Sequence, residues 1–241
     1  MNVALIFAGG VGSRMKNDSL PKQFLELDGK PIIIHTLDVF ENNPNIDAIV
    51  VVCKAEWLDY MNELLQKFEL KKVFAVIAGG ATALDSQYQG LLAIDQQFPQ
   101  EEVIVLIHDG VRPIIDDNTI NNNIELVKLE GAAITVSPAI ETVTYIADEK
   151  LDEIFDREKC RLAKAPQSFL LKNILKAHKT SIDEEKRDFI DSASLMKYYG
   201  FSLGIVEGET ENIKITTPSD YYLFKTIYEM KKEYNFNDGG K

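Results

Sequence analysis

The chain has 241 residues, 45% of them apolar, and 26 basic against 38 acidic residues give a net charge of -12. That size suits one α/β domain with a sizeable core better than two domains. The charge argues against nonspecific binding to nucleic acid or to an anionic membrane, and for a cytoplasmic protein. No run approaches the roughly 18 apolar residues that span a bilayer, and no basic stretch precedes an apolar core at the N-terminus, so a secretory signal is not expected. Cys53 and Cys160 lie far apart without CxxC spacing, and His35, His108 and His178 form no ligand pattern. Neither a disulfide nor a structural zinc is expected.

In chain order, Val3–Phe7, Ala48–Cys53, Val73–Ile77, Val103–Ile107 and Ala132–Val136 are short apolar runs that read as buried strands. Between them Ile32–Phe40, Trp57–Phe68, Leu84–Asp95 and Thr119–Leu129 carry helical spacing. Strands alternating with helices imply right-handed crossovers and a mostly parallel sheet covered on both faces. The alternation ends after Ser137-Pro138. Thr142–Ile146 and Leu151–Phe155, separated by Ala147–Lys150, predict a projecting β-hairpin within an arm of about residues 139–166. Helices resume near Leu170–Lys179 and Phe189–Tyr199, Phe201–Val206 and Ile213–Thr216 are short strand candidates, and Pro218–Lys232 opens a final helix at a proline. The polar end, residues 234–241, is expected to fray.

Ligands of parallel sheets bind beyond the carboxyl ends of the strands. Phe7-Ala8-Gly9-Gly10-Val11-Gly12-Ser13-Arg14-Met15 follows the first strand there. Glycines let backbone N–H groups approach an anion without Cβ obstruction. Arg14 and Lys22, the latter in Pro21-Lys22-Gln23-Phe24, add two cations, and the turn reads as a phosphate cradle rather than a solvated loop. Asp109, just past Val103–Ile107, falls on the same edge. By itself an aspartate in a His-Asp-Gly turn reads as a cap paired with Arg112. At a phosphate edge it reads as a ligand for Mg²⁺, which takes one or two carboxylates plus substrate phosphates. Lys214, between Ile213 and Ile215, faces opposite to both if that segment is a strand.

Ala8-Gly9-Gly10-Val11-Gly12-Ser13-Arg14-Met15 with Pro21-Lys22-Gln23-Phe24 resembles the signature of the cytidylyltransferases that act on polyol phosphates. The resemblance continues through Gly79-Gly80, His108-Asp109-Gly110-Val111-Arg112-Pro113, Ala165-Pro166-Gln167 and Asn212-Ile213-Lys214-Ile215-Thr216, covering almost the whole chain. It implies a single Rossmann-like nucleotidyltransferase domain with a β-hairpin dimerisation arm, working as a homodimer on CTP with Mg²⁺. It further implies that Arg14 and Lys22 stabilise the transition state, and that Ala8, Gly9, Gly10 and Gly12 hold the nucleotide. Gly79, Gly80 and Ser86 would read the cytosine, and Asp109 would hold the metal. Arg157, nine residues before Pro166, would position the acceptor from a neighbouring subunit, together with Lys214, Arg112 and Asp191. Arg161 competes with Arg157 for that role. His108 is left to packing or hydrogen bonding, because transfer to an already ionised phosphate needs no general base.

Three positions depart from the family pattern: Ala83 replaces an arginine, Ala165 a threonine, and Ile190 a threonine before Asp191. The motifs look more like the branch acting on ribitol 5-phosphate, as used for teichoic acid or capsule. The branch acting on methylerythritol phosphate in isoprenoid synthesis is the alternative, as is an enzyme for a related capsule or teichoic-acid polyol phosphate. An NAD-dependent oxidoreductase is a weaker reading of Gly10-Val11-Gly12, since Met15 stands where a third glycine belongs. A non-catalytic nucleotide sensor would lack the cations that this chain keeps.

Overall fold

The computed structural model describes residues 1–8 and 20–238, with side chains through Glu233. Strand β1 (Asn2–Phe7) is followed by two short strands, β2 (Glu26–Leu27) and β3 (Lys30–Pro31), which form a small antiparallel ladder. Then come α1 (Ile32–Asn42), β4 (Ala48–Cys53), α2 (Leu58–Lys67), β5 (Val73–Ala78), α3 (Ala83–Gln97), β6 (Ile104–Asp109), α4 (Asp117–Glu130) and β7 (Ala132–Pro138). The hairpin strands β8 (Thr144–Ala147) and β9 (Lys150–Ile154) precede β10 (Arg161–Leu170). The chain ends with α5 (Leu171–Asp183), α6 (Ser192–Tyr198), β11 (Gly204–Glu207) and α7 (Pro218–Asp238).

Seven strands form one sheet in the order β11-β7-β10-β6-β1-β4-β5. Every neighbouring pair is parallel except the two made by β10. Strand periodicity divides the core. Ala4 and Ile6 of β1, with Ile49 and Val51 of β4, face α1, α2 and α4, whereas Val3, Leu5, Val50 and Val52 face α3, α5 and α6. Both faces are dry, which is why these strands read as unbroken Val/Ile/Leu runs. Leu5 is fully buried, so truncating it to alanine would cost about 2–5 kcal/mol. Helix α3 crosses this face at Gly90, where a Cβ would come within 2.7 Å of Leu5.

Strand β10 was not expected. It runs antiparallel between β6 and β7, and its pairing with β7 slips between Ala163 and Gln167. Lys164, Pro166 and Gln167 hide it from pattern reading, because a proline inside a run argues against a strand unless a bulge accommodates it. Its buried polar groups are satisfied in a chain. Ser168 Oγ donates to Asn123 (2.9 Å), Asn123 Nδ2 to Thr135 Oγ1 (2.9 Å), and Thr135 Oγ1 to the Pro166 carbonyl (2.7 Å).

The expected hairpin is present, turned by Asp148 and Glu149 at φ 49° and 60°, a two-residue loop whose positive φ values match the strand twist. Two expectations fail. Residues 213–216 form no strand; Ile215 N–H bonds the Val111 carbonyl at 2.9 Å as an isolated extended contact. The end from residue 234 is helical through Asp238 rather than frayed, because Glu229–Glu233 carries a run of helix formers up to it; residues 239–241 lie outside the described residues. Among the described residues, no helix is long and apolar enough to cross a membrane. Cys53 is buried and Cys160 half-buried, both as free thiols, and burial pushes the Cys53 thiol up to about 11.

Candidate active site

At the sheet's carboxyl edge, β1 lies between β6 and β4, where the strand order reverses and a crevice opens. A cavity of about 280 Å³ sits there, lined by Phe7 and Ala8 at the end of β1, Lys22 and Gln23, Gly80 to Ala83, Ser86, Asp109, Val111 and Lys214. Six of the residues singled out in the sequence thus meet around one space: Ala8, Lys22, Gly80, Ser86, Asp109 and Lys214. Gly9, Gly10, Gly12 and Arg14 lie outside the described residues.

Lys22 opens a single 3-10 turn, Lys22–Phe24, after Pro21. Two anchors flank it. Gln23, buried, donates from Nε2 to the Ala8 carbonyl at 2.9 Å. Phe24 is fully buried against Trp57 and Tyr60, with ring centroids 5.2 and 5.0 Å away. The ammonium group therefore projects from a fixed turn beside the end of β1. Gln23 stood in the sequence only as part of the Pro21-Lys22-Gln23-Phe24 motif, without a role of its own, because its partner is a distant backbone carbonyl.

On the other wall, Gly79 and Gly80 lead into α3. Thr82 and Asp85 close a reciprocal capping box, each side chain meeting the other's N–H at 3.1 and 3.2 Å. Ser86 Oγ accepts from Gly80 N–H at 3.1 Å and donates to the Thr82 carbonyl at 2.8 Å. Side chains are excluded at both glycines: a Cβ on Gly79 would lie 2.6 Å from Ser86 Oγ, and one on Gly80 2.4 Å from Asp85 Cβ. Ala83, where the resemblance leads one to expect arginine, lines the cavity. Arg187, from the segment after α5, pairs with Asp85 on the same helical turn.

Asp109 ends β6 with 6% of its surface exposed. Its Oδ2 accepts from Arg112 Nε at 2.7 Å and its Oδ1 from Lys214 Nζ at 2.6 Å. Burial alone would raise its pKa, but the charges of Arg112 and Lys214 outweigh that and hold the carboxyl below the usual aspartate range. Arg112 also donates through Nη1 to the Asn212 carbonyl at 3.0 Å. The Asn212 side chain, buried, donates to the Ala165 carbonyl at 2.7 Å and ties this segment to β10. Ile215 is fully buried while 41% of the Lys214 side chain remains exposed. Lys214 therefore faces the cavity as expected, without the strand that was to orient it.

His108 is completely buried, donates one hydrogen bond from Nε2 to the Arg112 carbonyl (3.1 Å), and packs on Phe40. Burial pulls its pKa down to about 4. It is neutral and walled off from the cavity, in keeping with a packing role.

The remaining acceptor residues stand apart from the cavity lining. Asp191 caps α6, its Oδ1 accepting from Ser194 N–H (2.8 Å) and its Oδ2 from Gln167 Nε2 (2.7 Å). Ile190 beside it is 94% exposed. Arg157, at the base of the hairpin, is exposed and donates to the Ile140 carbonyl at 3.1 Å. Arg161 pairs with Glu207 at 2.8 Å. Among the described residues, no cluster of three or more His, Cys, Asp or Glu could hold a metal ion.

A mostly parallel sheet with a cleft at its switch point, a lysine held on a rigid turn and a capped helix beside it make an α/β fold of the nucleotide-binding class. Residues 2–230 match the family described as IspD, 2-C-methyl-D-erythritol 4-phosphate cytidylyltransferase, and the chain belongs to this family of CTP-dependent nucleotidyltransferases. It is 53% identical over 233 residues to a ribitol-5-phosphate cytidylyltransferase of Vibrio parahaemolyticus serotype O3:K6, covering 96% of this chain and 98% of that one. It is 36% identical over 233 residues to a 2-C-methyl-D-erythritol 4-phosphate cytidylyltransferase of Clostridium novyi, covering 96% and 98%. The crystal structure of 4-diphosphocytidyl-2C-methyl-D-erythritol synthase from Anaerococcus prevotii superposes with a TM-score of 0.82 at 28% identity, covering 95% of this chain and 96% of that one.

Proposed function

We propose that this enzyme transfers CMP from CTP to ribitol 5-phosphate, giving CDP-ribitol and pyrophosphate. An acceptor phosphate oxygen attacks the α-phosphorus, a new P–O bond forms, and the bond to the β-phosphate oxygen breaks. The observation that carries this reading is the convergence of Lys22, Asp109 and Lys214 on one cavity beside the Gly80–Ser86 turn. The 53% identity to a ribitol-5-phosphate enzyme, against 36% to the methylerythritol one, supports ribitol as the acceptor.

Two anions must be brought together in line, so catalysis is chiefly positioning and charge neutralisation. Lys22 and Arg14 act on the triphosphate, where charge builds on the departing pyrophosphate. Ala8 and the glycines after it supply backbone contacts, while Gly79, Gly80 and Ser86 meet the base. Lys214 and Arg112 attract the acceptor phosphate. Asp109 would be the one protein carboxylate for Mg²⁺, taking the ion on an oxygen now paired with Lys214 while substrate phosphates complete the shell. When bound, the ion would neutralise triphosphate oxygens. The enzyme would work in the cytoplasm as a homodimer.

A pyrophosphate-release assay with CTP, Mg²⁺ and a panel of polyol phosphates tests the reading. Ribitol 5-phosphate should give the highest kcat/KM, and excess chelator should abolish turnover. A clear preference for methylerythritol 4-phosphate overturns the acceptor assignment, and activity only with sugar 1-phosphates overturns the polyol reading. Arg157, exposed on the arm, would serve the partner's site. Mixing Arg157→Ala with Lys22→Ala subunits should then restore one intact site per heterodimer. Absence of recovery despite verified subunit exchange removes Arg157 from the account.

A further inference from the structure

Lys164 belongs to no motif and lies at the slip in β10, between Ala163 and Gln167, where pairing with β7 breaks. Bulges of this kind redirect a side chain out of the sheet's alternation. Its Nζ donates to the Thr210 carbonyl at 2.8 Å and to the Asn212 carbonyl at 3.3 Å. Arg112 Nη1 donates to that same Asn212 carbonyl at 3.0 Å, so two cationic heads meet at one oxygen. Lys214, two residues further along the chain, lines the cavity.

Arg112 and Lys164 thus meet at the Asn212 carbonyl, behind a cavity wall whose carboxylate, Asp109, pairs with Arg112 and Lys214 only. Among the described residues no carboxylate contacts Lys164; Glu211 acts on it only at a distance, while its own side chain accepts from Thr210 Oγ1. Burial and the neighbouring Arg112 both pull the pKa of Lys164 down, which an added anion would reverse. An ammonium has three N–H donors, and the two carbonyls take two of them. A local excess of positive charge in a chain of net charge -12, with one donor still available, is what a bound phosphate requires.

We propose that Lys164 is a third acceptor-phosphate cation, completing a cluster with Arg112 and Lys214. The proposal rests on the polyol-phosphate reading above. It is distinct from a purely structural tether of residues 210–214, and two substitutions separate the alternatives. Lys164→Gln keeps an N–H donor for the carbonyls but loses the charge, and Lys164→Arg keeps the charge. Lys164→Gln should raise KM for ribitol 5-phosphate about 10- to 100-fold, the worth of a charge-assisted hydrogen bond, with KM for CTP within about twofold. Lys164→Arg should recover most of the loss. An unchanged acceptor KM in Lys164→Gln, or equal rises for both substrates, overturns the proposal.

Should the wild-type protein release no pyrophosphate with any polyol phosphate, the substrate reading fails by itself. Calorimetric titration with inorganic phosphate then decides on Lys164. Binding to the wild type that weakens about tenfold or more in Lys164→Gln upholds the assignment. Equal binding, or none to the wild type at millimolar phosphate, overturns it.

Discussion

Lys22→Ala is expected to lower kcat by about 100-fold or more while KM for CTP shifts only a few-fold, because the lost contact acts on charge that develops in the transition state. The geometry makes this substitution a clean one. Gln23 is held by the Ala8 carbonyl, and Phe24 by Trp57 and Tyr60, so the turn keeps its shape when the ammonium is removed. Pro21 pre-sets the backbone ahead of it. Arg14→Ala should behave similarly, since the sequence gives it the same work on the triphosphate. Steady-state kinetics with CTP and ribitol 5-phosphate check both. Near-normal turnover in the two variants would remove electrostatic stabilisation by this loop from the mechanism.

Much of this site could be read before any coordinates. Strands buried on both faces announce themselves as apolar runs, so the ends of β1 and β6 were located, and with them Ala8 and Asp109. The capping box of Thr82 and Asp85 is local too, but it went unread until the structure showed it. Pairings between distant segments are not readable locally. The carboxylate of Asp109 is shared between Arg112, three residues away, and Lys214, more than a hundred away, and only the second required the fold. Strand β10 was missed because its polar and proline positions are satisfied by α4 and β7, partners that no local pattern reveals. Lys164 was invisible for the same reason: its neighbours, Arg112 and Asn212, come from loops that meet only when β10 enters the sheet. The strand expected at Ile213–Thr216 failed in the opposite sense. Alternation there is real, with Ile215 buried and Lys214 open, but the segment has no ladder partner.

Asp109→Asn should prove the most damaging single change, because two kinds of loss coincide in it. The amide cannot compensate Arg112 and Lys214, which would face each other across a buried position with their charges unopposed. Removing one member of a buried ion pair typically costs about 3–5 kcal/mol. The Arg112 side is well shielded at 13% exposure, whereas the Lys214 side, at 41%, is screened by solvent and contributes less. The acid limb of the stability curve gives an independent check. The Asp109 carboxyl is held below its ordinary range in the folded protein. Its stabilisation is therefore complete above the unfolded aspartate value of about 4 and is lost as pH falls through the lower folded value. Denaturation curves of the wild type and of Asp109→Asn should converge as pH drops below that window and diverge above it. A gap of constant size at all pH values would mean that the pairing is not electrostatic. Catalysis adds the second loss. If Asp109 also serves as the Mg²⁺ ligand, the variant should need a much higher Mg²⁺ concentration for half-maximal rate and lose about 100-fold or more in kcat. A destabilised variant with an unaltered Mg²⁺ titration would leave Asp109 as the keystone of the Arg112–Lys214 pair and assign the ion to the substrate phosphates alone.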